Sequence, residues 1–182
     1  MAKKIKKFDR IIIDDERINH IRECYFKWKD LNTSLKSIST RGINIPDVIS
    51  EPMACWCLDY LWNRGGAVGD AYDPKTNRRI EFKASSNFDT DLSSFGPKTV
   101  FDNLVFLRFD TSDNKLYIYD LNIDSEHFGQ LSANKKQTIA EQKEQKRRPR
   151  VPLIKLFDLK NKEPTMIFNI MLGKVEVDNR IN

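Results

Sequence analysis

Histidine is nearly absent from this 182-residue chain: His20 and His127 are the only two, and neither has a histidine or cysteine partner at metal-ligand spacing. Zinc fingers and histidine-metal nuclease motifs are thereby disfavoured. Cysteine is scarce as well. Cys24, Cys55 and Cys57 form no C-x-x-C pair and cannot all pair within the chain, which argues for reduced thiols acting as small core residues rather than a disulfide framework. No stretch approaches the roughly 20 apolar residues of a membrane span. The basic start, Met1 to Lys7, lacks the apolar run of a secretory signal, so a cytoplasmic location and no membrane partner are expected. Internal repeats and low-complexity segments are also missing.

What is present fits one domain over residues 1–182, long enough to fold without disulfide or metal staples. The net charge of +5 is modest but unevenly placed. Residues 135–150 hold seven Lys/Arg against two Glu and so carry an excess equal to that of the whole chain. An anionic partner is the first implication of such placement.

Along the chain, Asp14-Asp15-Glu16 suits the first turn of a helix. Ile18, Ile21, Tyr25, Trp28 and Leu31 then recur at helical steps, to about Leu35. A second helix begins near Ile45-Pro46-Asp47, is disturbed by Pro52, and runs through Cys55, Leu58 and Leu61-Trp62 until Asn63-Arg64-Gly65-Gly66 stops it. Leu104 to Phe109 and Lys115 to Tyr119 read as a strand hairpin, and Ser125 to Leu131 as a short helix. Leu153 to Phe157 and Met166 to Leu172 read as strands, or a strand and a short helix.

The informative stretch lies between, from Gly69 to Ser86. Pro74-Lys75-Thr76-Asn77 is a turn by composition, flanked by half-buried strand patterns. Pairing Asp73 with Arg78 continues the register as Tyr72 with Arg79, Ala71 with Ile80, and Asp70 with Glu81. Two carboxylates then sit opposite each other, with Lys83 on their face, while Ile80 and Phe82 point into the core. Like charges across a ladder destabilise a sheet unless something neutralises them. A divalent cation would do so, and Mg²⁺ is commonly held by one or two carboxylates together with water and phosphate oxygens. Such a metal polarises a phosphodiester and acidifies water, with Lys83 placed to orient or help deprotonate it. An exposed hairpin bearing three ordinary charges is the plainer alternative.

Other segments gain meaning beside this hairpin. Glu51, near the start of the second helix, is either an acid favoured by the helix dipole or a further carboxylate reaching the site. The loop Asn87 to Lys98 lies near the same edge, and Ser94 and Lys98 could meet phosphate oxygens, although a Gly-Pro turn beside serines is also an ordinary connector. Residues 132–150 are basic, amide-rich and poor in core residues. Gln142, Lys143, Gln145, Lys146, Arg147, Arg148 and Arg150 are the side chains expected in a DNA groove, with a solvated face or linker as the alternative.

The G-D-x(10)-E-F-K hairpin, following a helix that carries Glu51, resembles the PD-(D/E)xK nuclease superfamily. The S-S-F-G-P and R-R-P-R elements look like those of small type II restriction endonucleases, in particular the subgroup that reads GCNGC sites. The likeness spans residues 47 to 150, with 47–110 as catalytic core. It implies an α/β (α+β) fold with a restriction-endonuclease-like core and a mixed central sheet of about four or five strands flanked by helices. It also implies that Asp70, Glu81 and the backbone carbonyl of Phe82 bind Mg²⁺, with Lys83 and Glu51 completing the catalytic set. A homodimer on double-stranded DNA, a bacterial restriction-modification setting and a companion methyltransferase follow in the same way. Gly69 stands where the motif has proline, which leaves Asp73 as an alternative acid, but a cross-strand ion pair with Arg78 would satisfy Asp73 and favours Asp70. Two rival functions remain open: a repair or junction-resolving nuclease of the same fold, which cuts by DNA shape, and a DNA-binding module that cuts nothing.

Overall fold

A computed structural model describes residues 10–64 and 69–181. The basic start and the Gly65-Gly66 helix stop lie outside them. In order, the elements are β1 (Arg10–Ile11), α1 (Asp15–Lys36), α2 (Asp47–Leu58), β2 (Leu61–Asn63), β3 (Ala71–Asp73), β4 (Arg78–Ser85), β5 (Ser93–Ser94), β6 (Asn103–Asp110) and β7 (Lys115–Asp120). There follow α3 (Ser125–Gln130), α4 (Ile139–Glu144), β8 (Arg150–Val151), α5 (Leu153–Leu156), β9 (Met166–Asn169) and β10 (Lys174–Asp178). Among the described residues no helix is long and apolar enough to cross a membrane.

The first helix starts at its acids: the Asp14 carboxylate accepts from the Arg17 amide at 2.9 Å, and Asp15 and Glu16 occupy the first turn. Its buried face is Ile18, Tyr25, Trp28 and Asn32, whereas Leu31 is exposed. The apolar pattern puts Leu31 on the stripe, but the three- and four-residue steps continue to 32. Asn32 is tolerated there because its side-chain oxygen accepts from the Ile43 amide at 2.8 Å, tying the loop before α2 to α1.

The second helix tolerates Pro52 in its interior and ends at Asp59, whose φ of 60° caps it in the left-handed region. The expected run through Leu61-Trp62 is therefore corrected: these residues form β2, paired with β1 and β3. After the cap the chain reverses, and both residues join the sheet.

The architecture is mixed α/β. Among the described residues eight strands form one sheet in the order β1-β2-β3-β4-β6-β7-β9-β10, with β4 and β6 parallel and every other neighbouring pair antiparallel. The sheet is larger than the four or five strands expected: β1 and β2 are only two and three residues long, too short for a pattern to show, and β10 adds a further edge strand, a Lys-Val-Glu-Val-Asp alternation outside the expected set. The hairpin of Leu104–Phe109 with Lys115–Tyr119, and the helix over 125–130, lie where expected. So does the register of the hairpin about Pro74–Asn77, Ala71 with Ile80, Tyr72 with Arg79 and Asp73 with Arg78.

Helices α1 and α2 cover one face, where Ile80, Phe82, Val105, Leu107, Phe109 and Phe168 meet Tyr25, Trp28 and Met53. The opposite face is also covered: Leu104, Phe106 and Tyr119 meet Phe95, Phe101, Phe128, Ile139, Val151 and Leu153 from the later connections. This explains the near-continuous apolar run of β6, which is buried on both sides. Cys55 and Cys57 are buried and Cys24 is half-buried, all as free thiols.

Candidate active site

The parallel pairing of β4 with β6 forces residues 86–102 to cross over the second face of the sheet, above Glu81 and Lys83. The crossover carries the short strand β5, which pairs with β8: Ser93 with Val151 and Ser94 with Arg150. The Phe95 amide adds a bond to the Pro149 carbonyl at 3.0 Å. The S-S-F-G-P and R-R-P-R elements, some fifty residues apart in sequence, are thus one structure. Asp91 fixes it to α5 by accepting from the Leu153 and Ile154 amides at 3.0 and 2.8 Å.

Below this roof, Glu81 is 7% exposed. Its carboxylate meets the Lys83 ammonium at 2.5 Å, and that ammonium lies 5.2 Å from the centre of the Phe95 ring. Asp70 sits one residue before β3, just beyond the last ladder pair Ala71–Ile80, with its amide on the Ile80 carbonyl at 2.9 Å. Its side chain accepts from the Phe82 amide at 2.8 Å. Gly69, with φ of +74°, turns the chain out of the ladder at this point. A proline, fixed near φ −65°, could not. The departure from the motif's proline therefore has a backbone reason. The Phe82 carbonyl leaves the strand on the same side as its amide, towards Asp70.

Asp73 does not form the expected ion pair with Arg78. Its buried carboxylate accepts from the Lys75 amide at 2.8 Å and the Thr76 hydroxyl at 2.5 Å, inside the turn. Arg78 instead reaches Asn122 and Thr76. The turn consumes Asp73 locally, which leaves Asp70 as the acid of the cluster.

Glu51 comes from α2 to the same place. Trp62 on β2 donates its indole N–H to the Glu51 carboxylate at 2.9 Å. Burial, and next the charge of Asp70, push the Glu51 carboxyl up to about 8. Burial, and next the charge of Glu81, push Asp70 up to about 7. Glu51 therefore lies within reach of the Asp70 charge, and Asp70 within reach of that of Glu81, with Lys83 acting on both in the opposite sense. Trp62 is a site residue that sequence reasoning misses, because its pattern assigns it to the helix.

Among the described residues no group of three or more His, Cys, Asp or Glu side chains forms a cage for a metal ion. The donor set is instead the hard carboxylate oxygens of Asp70 and Glu81, the charge of the second, after burial, raising the carboxyl of the first. That is the chemistry that suits Mg²⁺.

The basic segment divides. Thr138 and Glu141 form a capping box that starts α4. Lys146, Arg147, Arg148 and Arg150 are exposed, as are Gln145 and Lys98, whereas Ser94, Gln142 and Lys143 are half-buried. Lys143 donates to the Thr99 carbonyl at 3.0 Å, which brings α4 to the crossover.

No solved structure matches this chain. Over 168 residues, 92% of this chain and 96% of the other, it is 40% identical to the type II restriction enzyme Bsp6I of Bacillus sp. (strain RFL6). A family model described as Bsp6I restriction endonuclease matches residues 13–159, which include every residue of the cluster just described. The chain belongs to the Bsp6I restriction endonuclease family.

Proposed function

We propose that this protein is a Mg²⁺-dependent type II restriction endonuclease that hydrolyses double-stranded DNA at a short sequence of the GCNGC kind. The observation that carries the reading is the cluster of half-buried Asp70 and Lys83 with buried Glu81, at adjoining segments of the sheet in a chain from a restriction-enzyme family. Asp70, Glu81 and the Phe82 carbonyl hold the ion. When bound, Mg²⁺ supplies Lewis-acid polarisation of the scissile phosphate and a more acidic water.

The chain's own groups do the rest. Lys83, steadied between Glu81 and the Phe95 ring, orients the attacking water and carries charge to the phosphate. Glu51, held by Trp62, is a proton-holding acid at the edge of the site. The β5–β8 pair and the exposed arginines after α4 lie against the duplex, with Ser94, Lys98, Gln142, Gln145, Lys146, Arg147, Arg148 and Arg150 as contacts. A two-fold homodimer suits a palindromic site, one subunit for each strand. A methyltransferase protecting the same sequence completes the bacterial system.

The test is incubation of the purified protein with phage DNA, in Mg²⁺ and in EDTA. Discrete Mg²⁺-dependent fragments whose ends map to one sequence are expected. A smear would instead mean cutting by DNA shape, and intact DNA would leave only a binding protein. Lys83→Ala is expected to abolish cleavage with DNA affinity retained; unchanged cleavage would overturn the site assignment.

A further inference from the structure

The seven cations of residues 135–150 do not form one surface. Lys135, Lys136, Lys146, Arg147, Arg148 and Arg150 are exposed, and Lys143 alone is half-buried. Helix α4 turns it inward: the capping box fixes the start of the helix, and buried Ile139 anchors it in the cluster that holds Phe95. Phe95 is the ring beneath the Lys83 ammonium. Lys143 therefore approaches the active-site strand from the roof, and the charges that act on it, after burial, are those of Glu81 and Lys83.

The placement is costly for a groove contact. A lysine stem long enough to reach solvent is folded inward, onto the crossover that covers Lys83. One of its three N–H donors goes to the Thr99 carbonyl, which aims the head group and leaves two donors for another acceptor. An anion between Lys83 and Lys143 would accept from both and offset their repulsion. A phosphate group has the charge and oxygen count to do so.

We propose that Lys143 is a catalytic residue that contacts the scissile phosphate together with Lys83, rather than one more cation of the DNA groove. This rests on the nuclease reading above. Two ammonium groups, one from β4 and one from α4, meet charge that builds on the phosphate oxygens during in-line attack, so Lys143 acts on rate more than on affinity.

Three variants separate the roles. Lys143→Gln keeps a donor for Thr99 and removes the charge; Lys143→Arg keeps the charge; Lys146→Gln removes an exposed cation of the same segment. Each is measured by single-turnover cleavage at saturating enzyme in Mg²⁺, and by binding to the same duplex in Ca²⁺, on DNA the wild type cuts. Lys143→Gln is expected to lose about 10²-fold in rate, the scale of one transition-state donor, with affinity within about threefold. Lys143→Arg should stay within about tenfold of the wild-type rate, and Lys146→Gln should weaken binding. Wild-type rate in Lys143→Gln, a loss repaired by saturation, or Lys143→Arg as slow as Lys143→Gln would each overturn the proposal. A wild type that cuts nothing would instead sink the nuclease reading itself.

Discussion

The Asp70 carboxylate accepts the Phe82 amide at 2.8 Å, replacing a main-chain carbonyl in the ladder where Gly69 turns away. One acid thus serves both the sheet and the cluster, and two substitutions pull those duties apart. Asp70→Asn keeps an oxygen for the Phe82 amide and removes the charge. It should fold as the wild type does and lose about 10²-fold or more in cleavage, as expected for loss of charge at a transition-state site. Asp70→Ala leaves a buried N–H without its acceptor and should cost about 1–3 kcal/mol besides. Paired urea melts and cleavage assays check this; equal stability of the two variants would mean that the hydrogen bond is dispensable.

The register of this hairpin is legible in the sequence because a turn of Pro74 to Asn77 fixes strand pairing, and side-chain alternation does the rest. Glu51 is legible as a candidate because a helix precedes the hairpin. What stays hidden is long-range: nothing local in Ser93-Ser94 announces a partner at Arg150-Val151, and nothing in Trp62 announces Glu51. Leu31 and Asn32 show the limit of composition, since the polar residue is buried by virtue of one hydrogen bond and the apolar one is not. The Asp73–Arg78 ion pair fails because turn amides and hydroxyls are nearer than the cross-strand arginine.

Gly69 gives a prediction on stability. A Cβ there would sit 3.0 Å from the Ile80 carbonyl oxygen, at a φ of +74° that side chains resist. Gly69→Ala should destabilise the fold by about 1–2 kcal/mol from the left-handed strain alone. It should also shift Asp70 and slow cleavage. A urea midpoint equal to that of the wild type would show that the turn relaxes freely.

Glu51 and Asp70 make stability fall as pH rises. Burial, and next the charge of Asp70 on Glu51 and of Glu81 on Asp70, hold both carboxyls protonated in the fold well above their ordinary range. Between the ordinary carboxylate range and about pH 7–8 the unfolded chain binds fewer protons than the native one, so unfolding becomes easier through that window. Glu51→Gln removes one of the two contributions and keeps an acceptor for Trp62. Its melting temperature in EDTA should therefore exceed that of the wild type at pH 8 and match it near pH 4. Equal melting temperatures at pH 8 would mean that Glu51 ionises there without cost.

Arg147 and Arg148 are exposed beyond α4, with Arg147 held loosely by Gln137 at 3.4 Å. Exposed cations against a duplex act by releasing counterions, so their removal should weaken binding to any sequence and flatten the salt dependence. Every phosphate that an arginine neutralises adds about 0.9 to the slope of log affinity against log salt. The double variant Arg147→Ala, Arg148→Ala should therefore fall by nearly two units of slope if both touch phosphate, with the cleavage rate at saturation unchanged. An unaltered slope with lost site preference would instead make them base readers, since a guanidinium on a guanine edge changes specificity at one position rather than the number of ions displaced.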